Sequence, residues 1–357
     1  MGAVGRILLI IVVLAAVAAG VIFFVLPPVA SRTETFTVER PAASVFARLA
    51  STPAGTEIAE GVTQNEVTSA ENNVVIANIA FAEGGAGRAT YTVSPEEDGA
   101  RVELRLEKDL GANPLNRIGV ITGAGVGPLA GAAAALVSAD LGTLPTATFD
   151  GLVYEVVDIA AQPFFYIQNC SSDEPDSITA ILSQAETVIP PLMRSNRLTA
   201  TGPLMAVEPR VVADQYCFQI GYPYRGAQPR NLLVGAVGQT PGGTMLHMTY
   251  TGTEEDVLAE VYDRLDALLA AAHLDNPGTR DDDWATYEVY NDDPTQAGGS
   301  RNREIYYVTN GDISRLTAIA PPSAAAAAPR RTTAPRSAPS TASDGRTARR
   351  STGAEGD

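Results

Sequence analysis

At 357 residues the chain has room for about two domains, and a hydrophobic share of 45% is ordinary for a globular protein and excludes a disordered or collagen-like one. A formal net charge of -16 repels phosphate backbones and speaks against nucleic acid as a partner. Two Cys and two His leave little room for a structural zinc site, and no motif calls for a cofactor.

Ile7 to Leu26 carries no charged residue, a run long enough to cross the hydrocarbon layer as a helix. Arg6 precedes it, which favours a cytoplasmic N-terminus. Residues 1–30 therefore read as a single-pass anchor that ends at Pro27-Pro28, with the remainder outside the cytoplasm. A cleaved signal peptide is the alternative, because the Ala-rich stretch offers a cleavage site.

Residues 31–145 open with an alternating strand, Thr33 to Pro41, and a short helix that follows Pro41. Strands are predicted over Asn73–Phe81, Arg88–Val93 and Arg101–Leu106, with a turn at Glu96–Gly99. Leu49 to Asn73 is short and polar. Gly119 to Gly131 lacks the G-K-[ST] of a phosphate loop and reads as a loop entering an Ala-rich helix near Leu129–Leu141. A strand followed by P-A-x-x-V-F (Pro41 to Phe46) resembles the opening of the SRPBCC (START-like, polyketide cyclase) fold. That resemblance implies a curved sheet gripping the last helix over an apolar cavity.

Gly142 to Asp150 is the expected linker. In residues 151–312 strands are predicted at Leu152–Ile159, Pro163–Cys170, Thr201–Val207 and Tyr216–Tyr222, and a helix over Asp176–Asn196 that Pro190-Pro191 kinks or ends. The order then starts again with strands at Leu232–Val237 and Met245–Tyr250. Aligning the helix ends Leu198 and Leu274 shows an internal duplication of a strand-helix-strand-strand unit. Cys170 and Cys217 both fall on or beside strands; they either pair or remain two buried thiols.

The second unit carries the chemistry. Val257, Leu258, Val261, Tyr262, Leu265, Leu268 and Leu269 form one apolar stripe at helical period, and Thr251 with Glu254, or Thr253 with Asp256, offers a capping pair. The helix is expected to stop at Asn276-Pro277-Gly278. Next comes a strand with Trp284, Tyr287, Glu288 and Tyr290 within seven residues, and a closing strand, Arg303 to Thr309. Strand, Y-x-G turn, helix with a central Tyr, Y-E-x-Y strand and closing strand together resemble a GyrI-like small-molecule-binding domain, also known as the AraC-type effector-binding domain.

The expected class is thus α+β: a START-like helix-grip domain followed by a duplicated β-α-β-β GyrI-like domain. The GyrI-like resemblance implies a pocket along the seam of the duplicated halves, with Glu288 at its floor and Tyr290, Tyr262, Trp284 and Tyr222 around it. A carboxylate among rings suits a small amphipathic ligand, cationic or neutral. Two other readings stand beside it: a small-molecule hydrolase using Glu288 and a Tyr, and a non-enzymatic envelope scaffold. Residues 320–357 are Ala, Pro, Ser, Thr and Arg, a composition that cannot bury a core.

Overall fold

Period-two alternation dominates the chain, and the computed structural model builds it into two antiparallel sheets. It describes residues 10–14, 17, 20, 27–111, 117, 125–171, 175–212, 215–230, 232–274, 286–292, 302–308 and 313–319.

The first sheet contains β1 (Val29–Val38), β2 (Thr56–Ala59), β3 (Val62–Glu71), β4 (Val74–Phe81), β5 (Ala86–Glu96) and β6 (Gly99–Asp109), in the order β1-β6-β5-β4-β3-β2. Every second residue points to one buried face: Val75, Ala77, Ile79 and Phe81 on β4, Val102, Leu104 and Leu106 on β6. Two helices cover that face, α1 (Ala42–Ala50) and α2 (Val126–Gly142). α2 packs on both β1 and β2, which are the opposite edges of the sheet, so the sheet is curled around it. Ala130, Ala133 and Leu141 of α2 are fully buried there. At the β5–β6 turn Gly99 has φ +150°, and a Cβ at that position would lie 2.2 Å from the Val38 carbonyl oxygen, so glycine lets the end of β1 close onto the turn.

The second sheet contains β7 (Glu155–Ile159), β8 (Pro163–Ser171), β9 (Thr199–Ala200), β10 (Leu204–Val212), β11 (Gln215–Arg225), β12 (Ala236–Gln239), β13 (Gly243–Thr251), β14 (Thr286–Tyr290) and β15 (Asn302–Val308). Its main path runs β12-β8-β11-β10-β14-β15-β13-β7, with β9 paired to β11. Read from either end, the path has the same pattern. The first strand of each half has crossed to the far side: β7 pairs with β13 and β12 with β8. The midline falls between β10 and β14.

Each half lays helix on the same face of the sheet. α3 (Pro175–Ser195) covers the first half through Leu182, Ala185, Ile189 and Met193. The second half is covered by a continuous helical run: α4 (Glu254–Val257), a π-helical turn (Leu258–Tyr262) and α5 (Asp263–Ala271). Val257, Val261, Leu265, Leu268 and Leu269 bury the predicted stripe in a second core. A short α6 (Ser314–Ile319) follows β15.

Several expectations need correction. The α+β chain with an N-terminal transmembrane helix is instead a strand-rich mixed α/β structure of curled antiparallel sheets. No helix among the described residues is long and apolar enough to cross a membrane. The single-pass placement with extracytoplasmic domains loses its basis with it. An uncharged run meets the hydropathy requirement, but crossing also takes about 20 consecutive helical residues, and of Ile7–Leu26 only 10–14, 17 and 20 are described. The polar stretch Leu49–Asn73 contains two strands; bulges in β3 between Gln64 and Glu66 and between Val67 and Ser69 break its alternation. α3 continues through Pro190 and Pro191. Most of the glycine-rich stretch before α2, the expected stop at Asn276-Pro277-Gly278 and the tail from 320 lie outside the described residues.

Cys170 and Cys217 sit directly opposite each other on β8 and β11 and form a disulfide that closes a separation of 47 residues. A cross-link over a loop of that length restricts the unfolded chain. Reduction, or Cys170→Ser with Cys217→Ser, is expected to lower unfolding stability by about 2–4 kcal/mol, read from urea titrations with and without reductant.

Candidate functional site

The midline of the second sheet is where the two halves meet. Glu288 on β14 stands opposite Ala206 on β10 and Ile305 on β15. Ala206 packs against the core under α3, and Ile305 belongs to the core under α4–α5. Glu288 therefore lies between two separate apolar cores, on the face that carries the helices.

A small ionic assembly forms around it. Arg303 on β15 is fully buried, and its Nη1 donates to Glu288 Oε2 at 3.0 Å. Its guanidinium carbon lies 5.6 Å from the centroid of the Tyr290 ring and 5.9 Å from that of Tyr250, a cation–π arrangement on both sides. Register explains the grouping: Arg303 is the cross-strand partner of both Tyr250 and Tyr290, and Glu288 is two residues from Tyr290 on the same face. From above, the Tyr262 hydroxyl donates to Glu288 Oε1. Tyr262 is the last residue of the π turn, whose wider winding sets where a side chain leaves the helix. Both carboxylate oxygens are thus engaged, and the side chain retains 16% of its exposure.

The structure brings three of the predicted residues together: Glu288, Tyr262 and Tyr290. Tyr290 is buried, and it reaches Glu288 through Arg303. Tyr222 sits in the core under α3, where burial and then the negative charge of Glu186 push its hydroxyl up to about 12. Trp284 lies outside the described residues. Sequence reasoning missed Arg303 and Tyr250. The signal was present, since Arg303 alternates in phase with Ile305 and Tyr307 and so falls on an apolar face. A described hollow of about 350 Å³ opens elsewhere, beside α1, lined among others by Ala42, Phe46, Val93, Phe149 and Ile319.

The opposite face of the sheet carries a second polar cluster that the sequence reading did not assemble. His247 on β13 is buried between two carboxylates: Nδ1 is 2.5 Å from Glu155 Oε1 on β7, and Nε2 is 3.3 Å from Glu304 Oε2 on β15. Its ring stacks on Tyr306 at 4.6 Å, and Tyr306 stacks on Tyr287 at 4.6 Å. Tyr306 OH and Asn291 Nδ2 also donate to Glu304. Burial alone lowers the imidazole's proton affinity, but the hydrogen bonds and charges of Glu304 and Glu155 outweigh it and hold His247 above its ordinary value. Those same contacts, led by His247, pull Glu304 down to about 2 against the opposing effect of burial. The cluster clamps the exchanged strand β7 to the second half.

No family model and no curated protein matches the sequence. Solved structures do show likeness over part of the chain. One is SAV2435 bound to tetraphenylphosphonium, at 9% identity and a TM-score of 0.33, covering 44% of this chain and 94% of that one. Another is the C-terminal domain of EcmrR, at 15% identity and a TM-score of 0.32, covering 45% and 99%. A hydrolase encoded by lin2189 from Listeria innocua is 11% identical with a TM-score of 0.28, covering 45% and 94%. Likeness at this level says nothing of what this chain binds. The START-like resemblance of residues 31–145 finds no support among these structures.

Two predictions follow from the charges. Glu288→Gln strands a fully buried guanidinium, so it should cost about 3 kcal/mol in chemical unfolding, and Glu288→Leu combined with Arg303→Met should recover most of that loss. The His247 clamp is at full strength below the ordinary imidazole value of 6.5 and weakens as pH rises through its raised folded value; the Glu304 contribution is present above 4.5 and is lost on acidification toward about 2. The chain's other histidine behaves oppositely: burial, then the charge of Arg48, lowers His273 to about 4. Proton NMR of the two imidazoles should show one midpoint above 6.5 and one near 4. Two midpoints close to 6.5 would contradict both environments.

Proposed function

We propose that this chain binds a small amphipathic molecule at the midline of the second sheet, between α3 and the α4–α5 run, with Glu288, Arg303 and Tyr262 as the polar floor. The GyrI-like reading of residues 151–312 belongs to this proposal. One observation carries it. The direct neighbours of Glu288 across the strands pack in different cores, so a polar, partly accessible assembly occupies the line where two apolar layers meet. Apolar walls with a few convergent polar groups are the usual makeup of a small-molecule site.

Arg303 changes the ligand class that Glu288 alone suggested. The guanidinium and carboxylate sum to zero formal charge, and Arg303 already occupies the faces of Tyr250 and Tyr290. A permanent cation must compete with Arg303 for Glu288. A neutral ligand with an acceptor oxygen needs only the Tyr262 O–H to turn from Glu288 toward it and displaces no charge. The site therefore favours a neutral amphipathic molecule over a permanent cation of the same shape. The hydrolase alternative has less support, because each oxygen of Glu288 is already bound, one to Arg303 and one to Tyr262.

Calorimetric titration of the full chain with triphenylphosphine oxide as the neutral probe and tetraphenylphosphonium as the cationic one tests this. Saturable binding of both is expected, with the neutral probe tighter. Tyr262→Phe, which leaves the Arg303–Glu288 pair in place, should weaken the neutral probe about fivefold. Absence of saturable heat with either probe, or full affinity in Tyr262→Phe, would sink the assignment.

A further inference from the structure

The helix that supplies Tyr262 is tied at its C-terminus to the first sheet as well as to its own half of the molecule. An α-helix leaves its last carbonyls without intrahelical donors, and the last turn of α5 contains no basic residue. Backbone N–H groups of Ala272, His273 and Leu274 reach the carbonyls of Leu268, Leu269 and Ala270, and two further donors come from the last turn of α1 and the residue after it. Arg48 Nη1 donates to Ala270 O at 2.6 Å, and Ser51 Oγ donates to Ala271 O at 2.7 Å. The contact is reciprocal: His273 Nε2 meets the Arg48 carbonyl oxygen at 3.0 Å. His273 has φ +52°, the left-handed geometry that ends a helix. The partner is a carbonyl oxygen, which can only accept, so Nε2 of His273 carries the proton of that bond.

Arg48 is itself held. Its Nε and Nη2 reach the two carboxylate oxygens of Asp140 on α2 at 3.1 Å and 2.8 Å. One guanidinium therefore ties α1, α2 and the end of α5 together. The apolar packing agrees, because Ala270 belongs to the core of the first sheet although its helix covers the second. Arg315 of α6 closes the joint by donating to the His273 carbonyl at 3.0 Å.

Tyr262 lies eight residues before Ala270, about 12 Å along a regular helix, and α5 between them is regular. A rigid rod fixed at one end fixes what it carries at the other. The flexible element is the π turn, and Tyr262 is its last residue. We infer that Arg48 is a positioning residue for the site at Glu288: by tying the end of α5 to the first sheet, it sets where the Tyr262 hydroxyl meets the carboxylate. The first sheet is then part of the receptor, and occupancy of the site is coupled to α1. This rests on the binding role proposed above.

The test is a thermodynamic cycle in the full chain with triphenylphosphine oxide as probe, well below the melting temperature of every variant. Arg48→Gln should weaken the probe about fivefold or more, Arg48→Lys should restore part of it, and Ser51→Ala should weaken it less. Arg48→Gln should have no further effect once Tyr262→Phe is present, since its action passes through that hydroxyl. A lowered melting temperature with unchanged affinity would mean that Arg48 only stabilises, and the inference would fail. Should the wild-type chain not bind the probe, the binding role fails, and amide hydrogen exchange still decides the coupling: Tyr262→Phe should speed exchange at Ser51 and Thr52, and no change there overturns it.

Discussion

A guanidinium buried to zero exposure is the constraint around which the second sheet is arranged. Removing such a charge from water is costly unless a counter-charge and π faces meet it. Arg303 finds its carboxylate on β14 and its rings on β13 and β14, one strand to either side. A slip of one residue in either pairing would turn these partners to the opposite face. The register of the three strands and the composition of the site are therefore the same fact.

The matching strand order of the two halves explains why this assembly lies at the centre. The exchanged strands β7 and β12 lengthen the sheet symmetrically, which leaves β10 and β14 as the midline. Each half closes its own core beneath its own helix, and the line between the cores is where a polar group retains some access to solvent. The two faces of the sheet divide the work. The helical face holds the Arg303–Glu288–Tyr262 assembly, and the other face holds the exchanged strand through His247 and its two carboxylates. The joint at Arg48 adds the first sheet, so the helix above the site is anchored outside the half that it covers.

Much of this was legible because local patterns have local causes. The stripe from Val257 to Leu269 and the alternation of β13 and β15 follow from burying one face, and the structure buries those faces. Glu288 stood out as a carboxylate among rings. Arg303 did not, because its phase with Ile305 and Tyr307 puts it on an apolar face but names no counter-charge, and the carboxylate that meets it lies on another strand. β3 was hidden by two bulges that reverse its phase. Pro190 and Pro191 were read as a kink or an end, yet Ile189 and Met193 on either side are buried against the sheet, and that packing carries the helix through them. The uncharged run near the N-terminus was read as a spanning helix from its length and hydropathy, and no helix among the described residues is long and apolar enough to cross a membrane.

By itself the sequence determined the periodicities, the repeat of a strand-helix-strand-strand order and the presence of one acidic residue in an aromatic strand. These depend on neighbours a few positions apart, where chain geometry allows few outcomes. Tertiary structure alone decided that Glu288 is neutralised by Arg303, that His247 sits between carboxylates from two other strands, and that the end of α5 is tied down by a residue more than two hundred positions away. Each of those is a meeting of charges or orphaned carbonyls across strands and sheets. Its energy depends on burial and distance, quantities that a linear order of residues does not contain.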